Sequence, residues 1–207
     1  MQNITVDSIL ERLKKVGIVE RLEQIHFLAQ TEHESGGFTK FSENLNYRYK
    51  TARLVFPKYA TMITEKQKEL KKADTDFVDP VWFANLVYGQ RLGNQDNGTN
   101  DNDGYDYRGS GAMQLTGKDN HRAFLSHASK QGLKLNGATL TIDNIDDYAR
   151  TPEGAIESAI FFWKNNPKLK EFALKDDTTS VSKIINGGTN GLEERIKLVT
   201  KYKNLIK

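Results

Sequence analysis

The chain has 207 residues, 37% of them apolar and 28% charged; a length of this order suits one domain with a sizeable core, and ten Phe, eight Tyr and two Trp argue against disorder. Cysteine is absent, which excludes disulfides, thiol catalysis and cysteine-based zinc sites, and no run of about 20 apolar residues suggests a membrane span. Thirty basic and 27 acidic residues give a net charge of +3, unevenly placed: residues 164–207 hold ten basic and five acidic side chains.

Most elements read as helices. Ile9, Leu10, Leu13 and Val16 recur at helical spacing from Asp7 to Val16, with Gly17 as the stop. A second helix is expected from Val19 to Ser35, with Leu22, Ile25, Leu28 and Ala29 as its stripe and Gly36-Gly37 as a left-handed exit. Residues 38–50 read as irregular or short-strand material. A short helix is predicted from Thr51 to Phe56, ahead of Pro57, and an exposed Lys/Glu-rich helix from Thr64 to Ala73. Asp79-Pro80 opens another, with Val81, Phe83, Ala84, Val87 and Tyr88 facing a core. Gly93 to Gly111 is a long polar loop. Further helices are predicted over Thr116–His127, with Phe124 and Leu125 buried, and from Thr151 to Trp163. Two more cover Ser180–Ile185 and Leu192–Ile206, separated by Asn186-Gly187-Gly188. One helical domain with any sheet small is the economical architecture.

The segment His33-Glu34-Ser35-Gly36-Gly37-Phe38 falls where a helix ends. On a helical wheel Glu32 lies beside the apolar stripe and Glu34 on the other side, next to Phe27. Periodicity favours Glu32 as the more buried carboxylate, yet a carboxylic acid beside an aromatic at a helix end suits a general acid. Nine residues after Glu34 comes Glu43. The Gly-Gly turn between them lets the chain double back and oppose two carboxylates, the arrangement that glycoside hydrolysis uses. Spacing alone fits equally with two ordinary solvent-facing acids.

His33–Phe38, then Glu43-Asn44-Leu45-Asn46-Tyr47, Tyr107-Arg108-Gly109-Ser110-Gly111-Ala112-Met113-Gln114-Leu115-Thr116-Gly117 and Ile185-Asn186-Gly187-Gly188 together resemble glycoside hydrolase family 19. The order and spacing are similar to its bacterial and phage branch, and the resemblance runs from about Val19 to Ile206. It implies a lysozyme-like, mainly helical, two-lobed domain with at most a small β element. It also implies an inverting mechanism in which Glu34 is the general acid and Glu43 the base that activates water, about 6.5–9.5 Å apart. Thr116 matches a family hydroxyl that helps hold the catalytic water; with Asp119 it also looks like a capping box. Gln114, Asn120 and Asn186 match sugar-contacting amides, and they fit loop and cap hydrogen bonding just as well. Arg195 resembles a family arginine that pairs with a catalytic carboxylate, the alternative being a surface arginine. Tyr47 and Tyr107 stack on sugar rings or pack in a core. The chain departs from the family in having His121 where Tyr is common. It also has Thr189-Asn190-Gly191 where the plant enzymes carry an acid after Asn-Gly-Gly.

Residues 1–207 are therefore expected to form a single catalytic domain without a wall-binding module. It is read as a peptidoglycan-degrading endolysin, with a chitinase as the alternative and a non-catalytic glycan-binding or phage-particle protein as the reading of another class. Glycan strands of peptidoglycan, or chitin oligomers, are the expected partners of a monomer. No cofactor, metal, nucleic acid or stable membrane insertion is expected. Met1-Gln2-Asn3-Ile4-Thr5 does not look like a secretory signal, which suggests host cytoplasm until release to the cell wall at lysis. The basic region at residues 164–207 would suit an anionic wall, or is simply a solvated helix face. His33-Glu34 lacks the second histidine of a zinc-protease motif, since position 37 is Gly37. The stretch Asp96 to Asp106 fails as a calcium loop in register.

Overall fold

The computed structural model describes residues 4–95 and 102–207. In chain order the helices are α1 (Val6–Lys15), α2 (Arg21–Glu34), α3 (Tyr49–Val55), α4 (Ala60–Glu69), α5 (Pro80–Tyr88), α6 (Asp103–Asp106) and α7 (Lys118–Lys130). A two-stranded antiparallel sheet, β1 (Lys134–Leu135) with β2 (Ala138–Thr139), precedes α8 (Ile145–Arg150), α9 (Pro152–Lys164), α10 (Pro167–Leu174), α11 (Thr178–Asn186) and α12 (Leu192–Leu205). The architecture is thus mainly α with one small β element, as the sequence leads one to expect. Among the described residues no helix is long and apolar enough to cross a membrane.

Local chemistry explains many of the boundaries. Thr5 and Ser8 cap α1 reciprocally. Asp79 accepts from the Trp82 N–H, Thr151 from the Gly154 N–H and Asp177 from the Ser180 N–H, so α5, α9 and α11 each start on a side-chain cap. Pro80 and Pro152 occupy the first turns, where a missing N–H costs nothing. Four expectations need correction. The exposed helix begins at Ala60 rather than Thr64, because a 3₁₀ turn at Pro57–Tyr59 leads directly into it. The polar stretch after Gly93 contains α6, whose Asp103 takes the Lys118 ammonium at 2.9 and 3.0 Å; the rest of the failed calcium loop, residues 96–101, lies outside the described residues. Val81, Tyr88 and Leu125 are only partly buried. The short α8 and α10 were not foreseen.

The chain divides into two compact units. One runs to Ser42 and includes Ser110–Leu115 and Phe124–Lys207; the other comprises Glu43–Gly109 and Thr116–Ala123. In the first, α2 runs through the core with every residue from Glu23 to Thr31 buried. Ile25, Phe27 and Leu28 pack with Ile9, Leu13, Ile160, Trp163, Leu169, Val199 and Tyr202, and the Phe27 and Trp163 rings meet edge to face at 5.5 Å. A smaller cluster gathers Phe124, Ala128, Leu140, Ile145, Tyr148 and Ala149. In the second unit Leu45, Tyr49, Ala52, Ile63, Val78, Phe83, Ala84 and Val87 form the core.

Candidate active site

In the first unit, α2 brings Glu34 to its last position and α12 brings Arg195 against it. Arg195 is 2% exposed, so the surface-arginine alternative does not hold. Its Nη2 donates to Glu34 Oε1 and its Nη1 to Gln30 Oε1. The two carboxylates that the wheel left in competition are equally accessible, 17% for Glu32 and 21% for Glu34. The wheel cannot separate them because α2 is buried all round and has no solvent face to measure from. Their partners do separate them. Glu32 accepts from the exposed Lys201 ammonium at 2.8 Å and the Tyr202 hydroxyl at 2.6 Å, which ties α2 to α12. Glu34 is a partly open carboxylate faced by a buried cation.

His33, beside Glu34, is held below the ordinary histidine value by burial first and by Arg195 second. The loop after α11 rests against it. Gly187 and Gly191 adopt left-handed conformations, and a Cβ on Gly191 would stand 2.5 Å from His33 Nε2. Asn186 braces this loop. Its Nδ2 donates to Asn190 O at 2.7 Å and its Oδ1 accepts from the Gly188 N–H at 2.9 Å. Gln114 sits in the left-handed region itself, at φ +52°, and its Nε2 donates to Gly111 O at 3.1 Å.

In the second unit, Glu43 is fixed at both oxygens. The Tyr88 hydroxyl donates to Oε1 at 2.7 Å and the Gly109 N–H to Oε2 at 3.1 Å, while the Glu43 N–H donates to Gly109 O at 2.8 Å. Burial, then the bond to Glu43, pushes the Tyr88 phenol far above its usual range, so Tyr88 remains a proton-bearing donor. Tyr47 lies near the same carboxylate and is raised by burial first and Glu43 second. Its ring packs edge-on against Phe56 and Phe83, at 5.5 and 5.6 Å.

Tyr107 is buried against His121, with ring centroids 5.1 Å apart. His121 fills the place of the family's tyrosine by bonding through Nδ1 to Gly117 O at 2.8 Å. Thr116 precedes Gly117, and α7 begins only at Lys118, so Thr116 stands one residue ahead of the capping position. The Asp119 carboxylate pairs with Arg122 at 3.0 Å. Asn120 is exposed and donates to Thr116 O at 2.7 Å. The loop and cap bonds anticipated for Gln114, Asn120 and Asn186 are therefore all present.

Gln30 and Tyr88 are the site neighbours that sequence reasoning missed. Among the described residues no group of three or more acidic or histidine side chains could hold a metal ion. The cavity of about 530 Å³ lined by Ile4, Arg12, Lys15, Leu133, Glu153 and Glu157 among others contains none of the predicted site residues.

The fold is mainly helical, with one carboxylate paired to a buried arginine and another held between a tyrosine hydroxyl and a backbone amide. No family model matches the chain. It is 37% identical over 192 residues to a glycosyl hydrolase family 19 domain-containing protein of Haemophilus influenzae, covering 92% of this chain and 84% of that protein. The chain belongs to glycosyl hydrolase family 19.

Proposed function

We propose that this chain is a peptidoglycan-degrading endolysin that hydrolyses the β-1,4 bonds of the glycan strand with inversion. Glu34 protonates the leaving glycosidic oxygen. Glu43 removes a proton from a water molecule, and the water oxygen attacks the anomeric carbon from the opposite face as the carbon–oxygen bond breaks. Thr116 holds that water. Gln114, Asn120, Asn186 and Tyr47 are assigned to the sugar subsites, while Tyr107, buried against His121, packs in the core.

The observation that carries the reading is the Arg195–Glu34 pair. The pair joins the last residue of α2 to a buried side chain of α12. Here a buried guanidinium faces a carboxyl group that keeps access to water. Once Glu34 has given up its proton, Arg195 compensates the charge that remains, which favours the step. Glu43, held at both oxygens, keeps lone pairs for water.

One observation favours the second reading, a chitinase acting on neutral N-acetylglucosamine polymers. Much of the positive charge in residues 164–207 is engaged within the molecule. Lys201 bonds Glu32, Lys203 bonds Asp176, Lys175 bonds Glu171 and Arg195 is buried. The case for an anionic wall therefore rests on the remaining lysines.

Both readings are tested by digesting purified peptidoglycan and chitin oligomers with wild type and Glu34→Gln, then sizing borohydride-reduced products by mass spectrometry. New muramic-acid ends made by wild type alone would establish a muramidase, and cleavage confined to chitin oligomers a chitinase. Glu34→Gln should retain less than about a tenth of the activity, in line with the loss of a general acid. It keeps the shape and an acceptor for Arg195, so its stability should be unchanged or improved. Turnover above that level would remove Glu34 from the acid role.

A further inference from the structure

Behind the Glu34 pair runs a file of buried polar groups that packing alone does not require. Arg195 Nη1 donates to Gln30 Oε1, one helical turn before Glu34 on α2. Gln30 Nε2 donates to Ser182 Oγ on α11 at 3.3 Å, and the Ser182 hydroxyl donates to Thr178 O at 2.7 Å. Gln30 and Ser182 are wholly buried. Among the described residues the Arg195 Nε–H, also buried, meets no acceptor.

A buried amide is costly unless both its ends are bonded, and an apolar side chain would fill position 30 without that cost. The guanidinium itself is a rigid plane on a long, flexible stem. One bond at Nη2 would leave it free to swing about that bond; a second acceptor beside the first fixes the plane.

We propose that Gln30, backed by Ser182, is a positioning residue that fixes the plane of Arg195 and, through it, the orientation of Glu34. The inference rests on the reading of Glu34 as the proton donor. Gln30 does not touch substrate, so its loss lowers kcat and leaves KM nearly unchanged.

The experiment uses the full chain and four variants, Gln30→Leu, Ser182→Ala, Arg195→Gln and the double variant Gln30→Leu/Arg195→Gln, with kcat and KM measured on whichever glycan wild type cleaves. Gln30→Leu should lower kcat about tenfold or more with KM within about twofold, and Ser182→Ala severalfold in the same sense. In the Arg195→Gln background, Gln30→Leu should cause no further loss, because a residue acting through Arg195 has nothing left to act on. If Gln30→Leu does not fold, Ser182→Ala carries the comparison, alone and combined with Arg195→Gln. The side-chain Nε–H resonance of Arg195, followed by ¹⁵N NMR, gives a readout independent of turnover: sharp and slowly exchanging in wild type, broadened in Gln30→Leu. If Glu34→Gln stays active, the catalytic reading has failed and the positioning of Arg195 is still judged on this resonance. An equal loss of kcat in both backgrounds, or an Arg195 resonance indifferent to residue 30, would overturn the proposal.

Discussion

Glu43 and Tyr88 are joined by a single bond of 2.7 Å. Because burial and the neighbouring carboxylate keep the phenol protonated, the tyrosine donates to Glu43 Oε1. Tyr88→Phe keeps the ring and removes only that bond. A hydrogen bond to a charged group contributes about 1.5–3 kcal/mol, so kcat should fall by roughly tenfold or more with KM little changed. Steady-state kinetics would check this, and an unaltered kcat would detach Tyr88 from the chemistry. The residue-level record also shows where sequence reasoning stops. His33-Glu34 and Glu43 were visible as carboxylates at a helix end and after a turn, and Arg195 as a match to a pattern. Tyr88 read as a core position because its partner lies 45 residues away, and Gln30 read as nothing because Arg195 lies 165 residues away. No local spacing encodes either contact.

At the level of elements, the start of α12 depends on Gly191. The residue is left-handed at φ +70°, and a Cβ there would meet the His33 ring at 2.5 Å. Gly191→Ala adds backbone strain of about 1 kcal/mol and must also displace His33 or shift α12, which carries Arg195. Calorimetry should show a lower melting temperature, and activity should fall with it; wild-type values for both would mean that the loop moves without disturbing Glu34. Helices with capping side chains were foreseen to within a few residues, since Asp79 and Thr151 announce their own starts. By contrast α8 and α10 are too short for periodicity to stand out. In α10 the buried Leu169 is flanked by Lys168 and Lys170. The wheel failed on α2 for the opposite reason, since a helix buried on every side presents no polar stripe.

At the scale of the molecule, His26, His33 and His127 sit below the ordinary histidine value, with burial the leading cause in each. Asp176 partly opposes it at His26, Arg195 adds to it at His33, and Lys164 and Arg12 add to it at His127. The unfolded chain takes up these protons near pH 6.5 and the folded one only at lower pH. Between those values the unfolded state binds more protons. The stabilisation is therefore complete above about pH 6.5 and is lost as the pH falls through the folded values. Thermal melts should show a lower midpoint at pH 5.5 than at pH 7.5, and His26→Gln should flatten part of that slope; a level profile would mean that these sites accept protons in place.

The unbroken burial of α2 has a counterpart in time. From Glu23 to Thr31 every residue is buried, and Glu34 follows three positions later. Backbone amides in such a stretch have no local opening through which to trade protons with solvent, so they exchange only when the surrounding unit comes apart. Glu34 thus follows directly on a stretch of α2 whose amides open only together with the unit around them.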